Sequence, residues 1–161
     1  MEAADLGWLE VLGRLGAALV FGGVVGFERE VDGHDAGLRT HALLAVGAAV
    51  FGAISVGGFA TLVTDDPGST NIELDVTRVA SYVAAGVGFL GGGAILKGSD
   101  HVKGLTTAAS LWTVAGIGLA AGLGFWPAAV VATVLAAVTL LADVPLRKLV
   151  ARMRPPTSRS G

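Results

Sequence analysis

The chain has 161 residues, 53% of them apolar and only 15% charged, with no cysteine and a formal net charge of −2. Its mean hydropathy is +0.71. Soluble domains carry about 25% charged residues, so the composition excludes an ordinary water-soluble domain and points to an integral membrane protein. The missing thiols exclude disulfides, zinc–thiolate sites and cysteine nucleophiles, and nothing in the charge calls for a nucleic-acid partner.

The apolar residues fall in five long runs. About 20 helical residues cross the hydrocarbon core of a bilayer, and none of the runs shows the short alternation of a membrane β-barrel. The spacing predicts an all-α bundle of five transmembrane helices, at about Leu9–Phe27, His41–Thr64, Val76–Leu96, Leu105–Leu123 and Trp126–Leu146. The first ten residues, MEAADLGWLE, are acidic. A secretory signal starts with a positive region, so the first run is expected to remain as an anchor. Residues 1–146 form the membrane domain, and residues 147–161 are expected to be a basic, disordered cytoplasmic tail with no soluble domain after it.

The short loops give the orientation. Nine of the eleven basic residues lie in the loops after the first and third helices and in the tail, among them Arg29, Arg39, Lys97, Lys103 and Arg147. The opposite side holds Glu2, Asp5, Asp65, Asp66, Glu73 and Asp75 and no lysine or arginine. Positive charge marks the cytoplasmic side, which predicts N-terminus out and C-terminus in, a multi-pass protein of the cell membrane.

Within the third run, GVGFLGGG places Gly86, Gly88 and Gly91 in the spacing G-x-G-x-x-G. A dinucleotide fingerprint follows a strand and is followed by an acidic residue about 20 positions on. Here it sits in an apolar run, so the glycines are assigned to helix packing. Small residues four apart let two membrane helices approach closely. Gly22 and Gly26, Gly88 and Gly92, and Gly118 and Gly122 fit G-x-x-x-G. Gly91, Gly92 and Gly93 leave a second possibility, a helix broken there to line a cavity.

The charged residues near the bilayer form two groups. Arg14 lies inside the first helix, where it either snorkels to the headgroups or pairs with an acid of the outer side such as Asp75. Asp75 and Arg78 stand three apart at the start of the third helix, close enough to pair. On the inner side, Glu28, Arg29, Glu30, Arg39, Thr40 and His41 stand at the boundary with Lys97, Lys103, Thr106 and Thr107. This is the candidate functional cluster, read as an ion-pair network fixing helix ends or, alternatively, as a site for a hard cation such as Mg²⁺. No resident cofactor is implied. Enzyme chemistry is not expected: Ser81 lies far from His34, His41 and His101, and Ser110, which is nearer, has no local signature of a nucleophile.

Three blocks, residues 23–51, 75–97 and 102–124, resemble the MgtC/SapB family of membrane proteins. They carry E-R-E, G-L-R-T-H, G-x-G-F-L-G-x-G and G-L-T-T-A-A-S-x-W. With Arg14, the resemblance runs from about Gly13 to Leu141. The family's motif residues carry over to Glu28, Arg29, Glu30, Gly37, Leu38, Arg39, Thr40, His41, Asp75, Arg78, Gly88, Gly91, Gly93, Gly104, Leu105, Thr106, Thr107 and Trp112. Val76 stands where proline is frequent, Tyr82 where glutamine is, and Gly92 where alanine is. The resemblance implies a role in acclimation to low magnesium, a link to virulence, and a membrane partner such as the F-type ATP synthase. It implies a short form, without the C-terminal soluble domain many members carry. The function expected is therefore regulation through helix contacts, with a transporter or channel for a small ion as the alternative. The lipid bilayer is one partner, and a second copy in a symmetric homodimer is expected from the glycine faces.

Overall fold

A computed structural model describes residues 6–58, 76–97 and 101–142. It contains five α-helices: α1 (Trp8–Val31), α2 (Leu38–Ala53), α3 (Val76–Ala94), α4 (Leu105–Gly122) and α5 (Trp126–Leu141). A π-helical segment, Ile54–Gly58, continues α2. Two short strands, β1 (Leu96–Lys97) and β2 (Val102–Lys103), pair antiparallel between α3 and α4. Trp8–Val31, Leu38–Val56 and Leu105–Gly122 are long and apolar enough to cross a membrane, and Trp126–Leu141 is a shorter apolar helix.

The helix ends differ from the sequence reading in physically simple ways. α1 runs on through Glu28, Arg29 and Glu30 to Val31, and α2 starts at Leu38. A hydropathy boundary marks where the apolar run stops, whereas backbone hydrogen bonds continue into the polar turn beyond it. The hairpin of β1 and β2 was not expected from the apolar pattern. α3 continues unbroken through Gly91, Gly92 and Gly93 to Ala94, so a break there is not present. Asp75, the acidic loop around it and the basic tail fall outside the described residues.

α4 touches each of the other four helices, and α2 packs between α1 and α4 with a surface of small residues. The buried residues of α2 are Ala42, Ala45, Ala48, Ala49, Gly52 and Ala53, together with His41. On one side, a Cβ added to Gly22 of α1 would lie 2.6 Å from the Ala45 Cβ and 2.7 Å from the His41 carbonyl oxygen. One added to Gly26 would lie 2.8 Å from the Leu38 Cα. On the other side, Cβ atoms on Gly118 and Gly122 of α4 would overlap the carbonyl oxygens of Ala45 and Ala49. Two of the three G-x-x-x-G pairs therefore hold α1 and α4 against α2, backbone to backbone, and α1 and α4 also meet each other through Arg14 and Arg29. Such approach suits a lipid environment, where packing rather than water exclusion drives association. Val25, Val114 and Ile117 fill the space around this seam.

The third pair behaves differently. Among the described residues, Cβ atoms on Gly88, Gly92 and Gly93 would meet no atom within 4 Å, and one on Gly91 would make ordinary contact with Ala108, 3.5 Å away. Phe89, 83% exposed, stands on the same open side of α3.

Gly118→Ala is expected to destabilise the purified protein by about 1–3 kcal/mol, the usual cost of forcing volume into a packed interior. Gly92→Ala, in open space, should leave stability unchanged or raise it slightly through helix propensity. Thermal unfolding of both variants in one detergent checks the contrast.

Candidate functional site

The close approach of α1, α2 and α4 leaves a buried polar cluster near the ends of these helices that carry the 28–41 and 103–107 segments. Arg29, in the last turn of α1, is 3% exposed, and His41, in the first turn of α2, is 0% exposed. Both face α4. Arg29 Nη2 donates to Thr107 Oγ1 at 3.1 Å. His41 Nε2 lies 3.0 Å from Ser110 Oγ, and His41 Nδ1 lies 2.9 Å from the Gly37 carbonyl oxygen. The Ser110 hydroxyl also reaches the Thr107 carbonyl at 2.9 Å.

The carbonyl of Gly37 can only accept, so the imidazole proton belongs on Nδ1 and Nε2 presents a lone pair when the ring is neutral. Ser110 then has one proton for two acceptors, His41 Nε2 and the Thr107 carbonyl. An imidazolium would satisfy all three contacts at once. The neutral network is one proton short, and its hydroxyl must choose a partner.

The turn joining α1 to α2 holds this cluster in register. Glu30 Oε2 accepts the Leu38 amide at 3.0 Å, which satisfies an orphan donor at the N-terminus of α2 with a carboxylate where the helix dipole favours one. A Cβ on Gly37 would overlap the Glu30 carboxylate, so only glycine allows this cap.

At the other end of the bundle, Arg14 is 9% exposed. Its Nη1 donates to the Gly122 carbonyl at 2.8 Å and its Nη2 pairs with Glu10, one turn earlier on α1. A cation at the C-terminus of α4 matches the negative end of the dipole. Gly124, at φ +78°, turns the chain beside the guanidinium; a Cβ there would stand 3.0 Å from Nη2. The pairing of Arg14 with Asp75 concerns a residue outside the described ones, and the Glu10 contact follows the i, i+4 spacing of helical ion pairs. Arg78 is exposed near the start of α3.

Most of the remaining cluster residues are exposed. Arg39, Thr40 and Thr106 are exposed, and Glu28 is half-buried. Lys97 and Lys103 are exposed on the paired strands, Leu96 opposite Lys103 and Lys97 opposite Val102. The structure thus joins Arg29 to Thr107 and sets His41 and Glu30 in the same turn region. It does not gather the lysines into that cluster. Ser110 and the Gly37 carbonyl were not among the cluster residues read from sequence. The available signal was spacing: Thr107 and Ser110 are three apart, on one side of α4. No group of three or more His, Asp or Glu that could hold a metal ion occurs among the described residues.

Two cavities flank the cluster's helices. One, of about 500 Å³, lies between α2 and α3 and is lined by apolar residues and Tyr82. The other, of about 370 Å³, lies between α4 and α5, with Thr106, Ser110 and Thr113 on the α4 side. Among the described residues, neither is lined by a charged side chain.

Comparison with known proteins gives a consistent relationship. Residues 15–149 match the MgtC family. The chain is 42% identical over 87 residues to a protein of Escherichia coli K12 named putative magnesium transporter YhiD, covering 54% of this chain and 39% of that one. It is 43% identical over 83 residues to Protein MgtC of Brucella abortus, covering 52% and 30%. It is 41% identical over 81 residues to Protein MgtC of Salmonella typhimurium, covering 50% and 29%. The matched stretch is thus well under half of each relative. No solved structure matches the chain.

Ser110→Ala removes the partner of a fully buried imidazole nitrogen and should cost about 1–3 kcal/mol of stability. Arg39→Ala, at an exposed position, should stay within about 0.5 kcal/mol. Unfolding midpoints measured side by side in detergent give the comparison.

Proposed function

The chain belongs to the MgtC family, and from that premise we propose that it is a membrane regulatory factor in acclimation to low magnesium that acts through helix contacts with a membrane partner. The observation that carries this reading is the open glycine face of α3. Gly88 and Gly92 have the spacing that the other two pairs use to bind α2, yet a Cβ on either would meet no atom of the described residues within 4 Å. A helix prepared for close contact and left uncovered suits a partner helix. The F-type ATP synthase is the partner class that the resemblance suggests, and a second copy of this chain can use the same face. The position of the basic residues supports a multi-pass protein of the cytoplasmic membrane with its C-terminus inside.

The alternative is a transporter or channel for a small ion, supported by the name of the E. coli relative, putative magnesium transporter. That reading calls for a broken helix or a polar cavity. The unbroken α3 and, among the described residues, the uncharged lining of these two cavities favour regulation.

Replacing Gly88 and Gly92 with leucine should abolish rescue of a deletion strain at limiting magnesium while leaving the purified protein folded. Partner or self-crosslinking in native membranes should fall at least tenfold in the same variant. Ion flux through liposomes holding the purified wild type, lost on Glu28→Ala, would overturn the regulatory reading in favour of transport.

A further inference from the structure

We infer that the first turn of α4, the buried guanidinium of Arg29 and the groove between α4 and α5 together bind one anionic phospholipid, its phosphate at the helix end and an acyl chain in the groove. The inference goes beyond the regulatory reading and does not depend on it. Three observations carry it.

The first is an uncapped helix end. α4 begins after Gly104, held at φ +87°, with no acidic residue in its first turn and, among the described residues, no side-chain cap. Its first amides point outward at the positive end of the helix dipole, an arrangement that attracts oxyanions. α2 faces the same need and meets it with the Glu30 carboxylate; α4 has no such group among the described residues.

The second is a cation where the dipole disfavours one. Arg29 is 97% buried and donates Nη2 to the hydroxyl of Thr107, in that same first turn. Nε lies on the same edge of the guanidinium and has no hydrogen-bond partner among the described residues. That edge is the fork with which arginine holds carboxylate and phosphate. A buried guanidinium set against the positive end of a helix is costly without a counter-charge, and exposed Lys103 adds a second positive charge just before Gly104.

The third is a place for a chain. The cavity of about 370 Å³ starts at exposed Thr106, in this first turn, and continues along Ala109 and Thr113 against Ala132, Leu135 and Ala136 of α5. Among the described residues, its lining is mostly apolar and carries no carboxylate. α4 begins where the charged segments meet the apolar bundle, the depth at which bilayer phosphates lie. Head site and chain site thus meet at one residue, Thr106.

The test uses the delipidated full chain in a neutral detergent, with phosphatidylglycerol, phosphatidylcholine and inorganic phosphate as separate probes, read by native mass spectrometry. One phosphatidylglycerol per chain should be retained, at least tenfold more tightly than phosphatidylcholine. Thr106→Asp should weaken phosphatidylglycerol at least tenfold while leaving the melting temperature of the lipid-free protein equal or higher, because a carboxylate there caps α4 itself. Ala136→Leu should fill the groove and weaken both lipids. Arg29→Lys should weaken phosphatidylglycerol selectively; Thr106→Asp and Ala136→Leu carry the test should that variant not fold. Equal retention of the two lipids, or indifference to Thr106→Asp, overturns the phosphate site. Tight binding of inorganic phosphate that ignores Ala136→Leu assigns a free oxyanion instead and overturns the lipid, and no binding of any probe overturns both.

Discussion

The structure depends on the backbone of α2 being reachable from two sides. Between bilayer lipids, leucine packing against leucine gains little over leucine packing against acyl chains, so helices must find contacts that lipid does not offer. Here those contacts are peptide groups. Gly22 and Gly26 bring α1 onto one face of α2, and Gly118 and Gly122 bring α4 onto another, against the carbonyls of Ala45 and Ala49. The hydrogen standing in place of each missing Cβ on α4 points at a carbonyl oxygen, a weak but recurrent attraction in such packing.

That approach also decides the chemistry of the interior. With α2 held tightly against both neighbours, His41 is completely buried and its ring spans from the Gly37 carbonyl to the Ser110 hydroxyl. A polar group in such a position must be bonded or costs several kcal/mol. The network achieves this with its own side chains and carbonyls. The shared Ser110 proton makes it a two-state arrangement, in which the hydroxyl serves either the ring or the helix.

The two arginines of α1 stand near opposite ends of α4. Arg14 meets its C-terminal carbonyls and complements the dipole, while Arg29 meets its N-terminal turn and opposes it. Among the described residues, one end of α4 is therefore met by a charge that suits the dipole and the other by one that opposes it. The first is closed by a glycine turn at Gly124 and the Glu10 ion pair. The second opens beside a groove.

Much of this was legible in the sequence. Hydrophobic run length determined an all-α membrane protein and the approximate position of each helix, because the thickness of a bilayer imposes a length on any helix that crosses it. The G-x-x-x-G spacing identified the residues of both α2 seams, because four residues bring small side chains to one helix face. The same spacing is identical at Gly88 and Gly92, and only the tertiary structure shows that this pair faces away from the bundle. Ser110 could not be tied to His41 from sequence, since their 69-residue separation is closed only by the packing of α4 on α2. Local periodicity fixes which residues share a face; which face meets which helix depends on the relative placement of elements far apart in the chain.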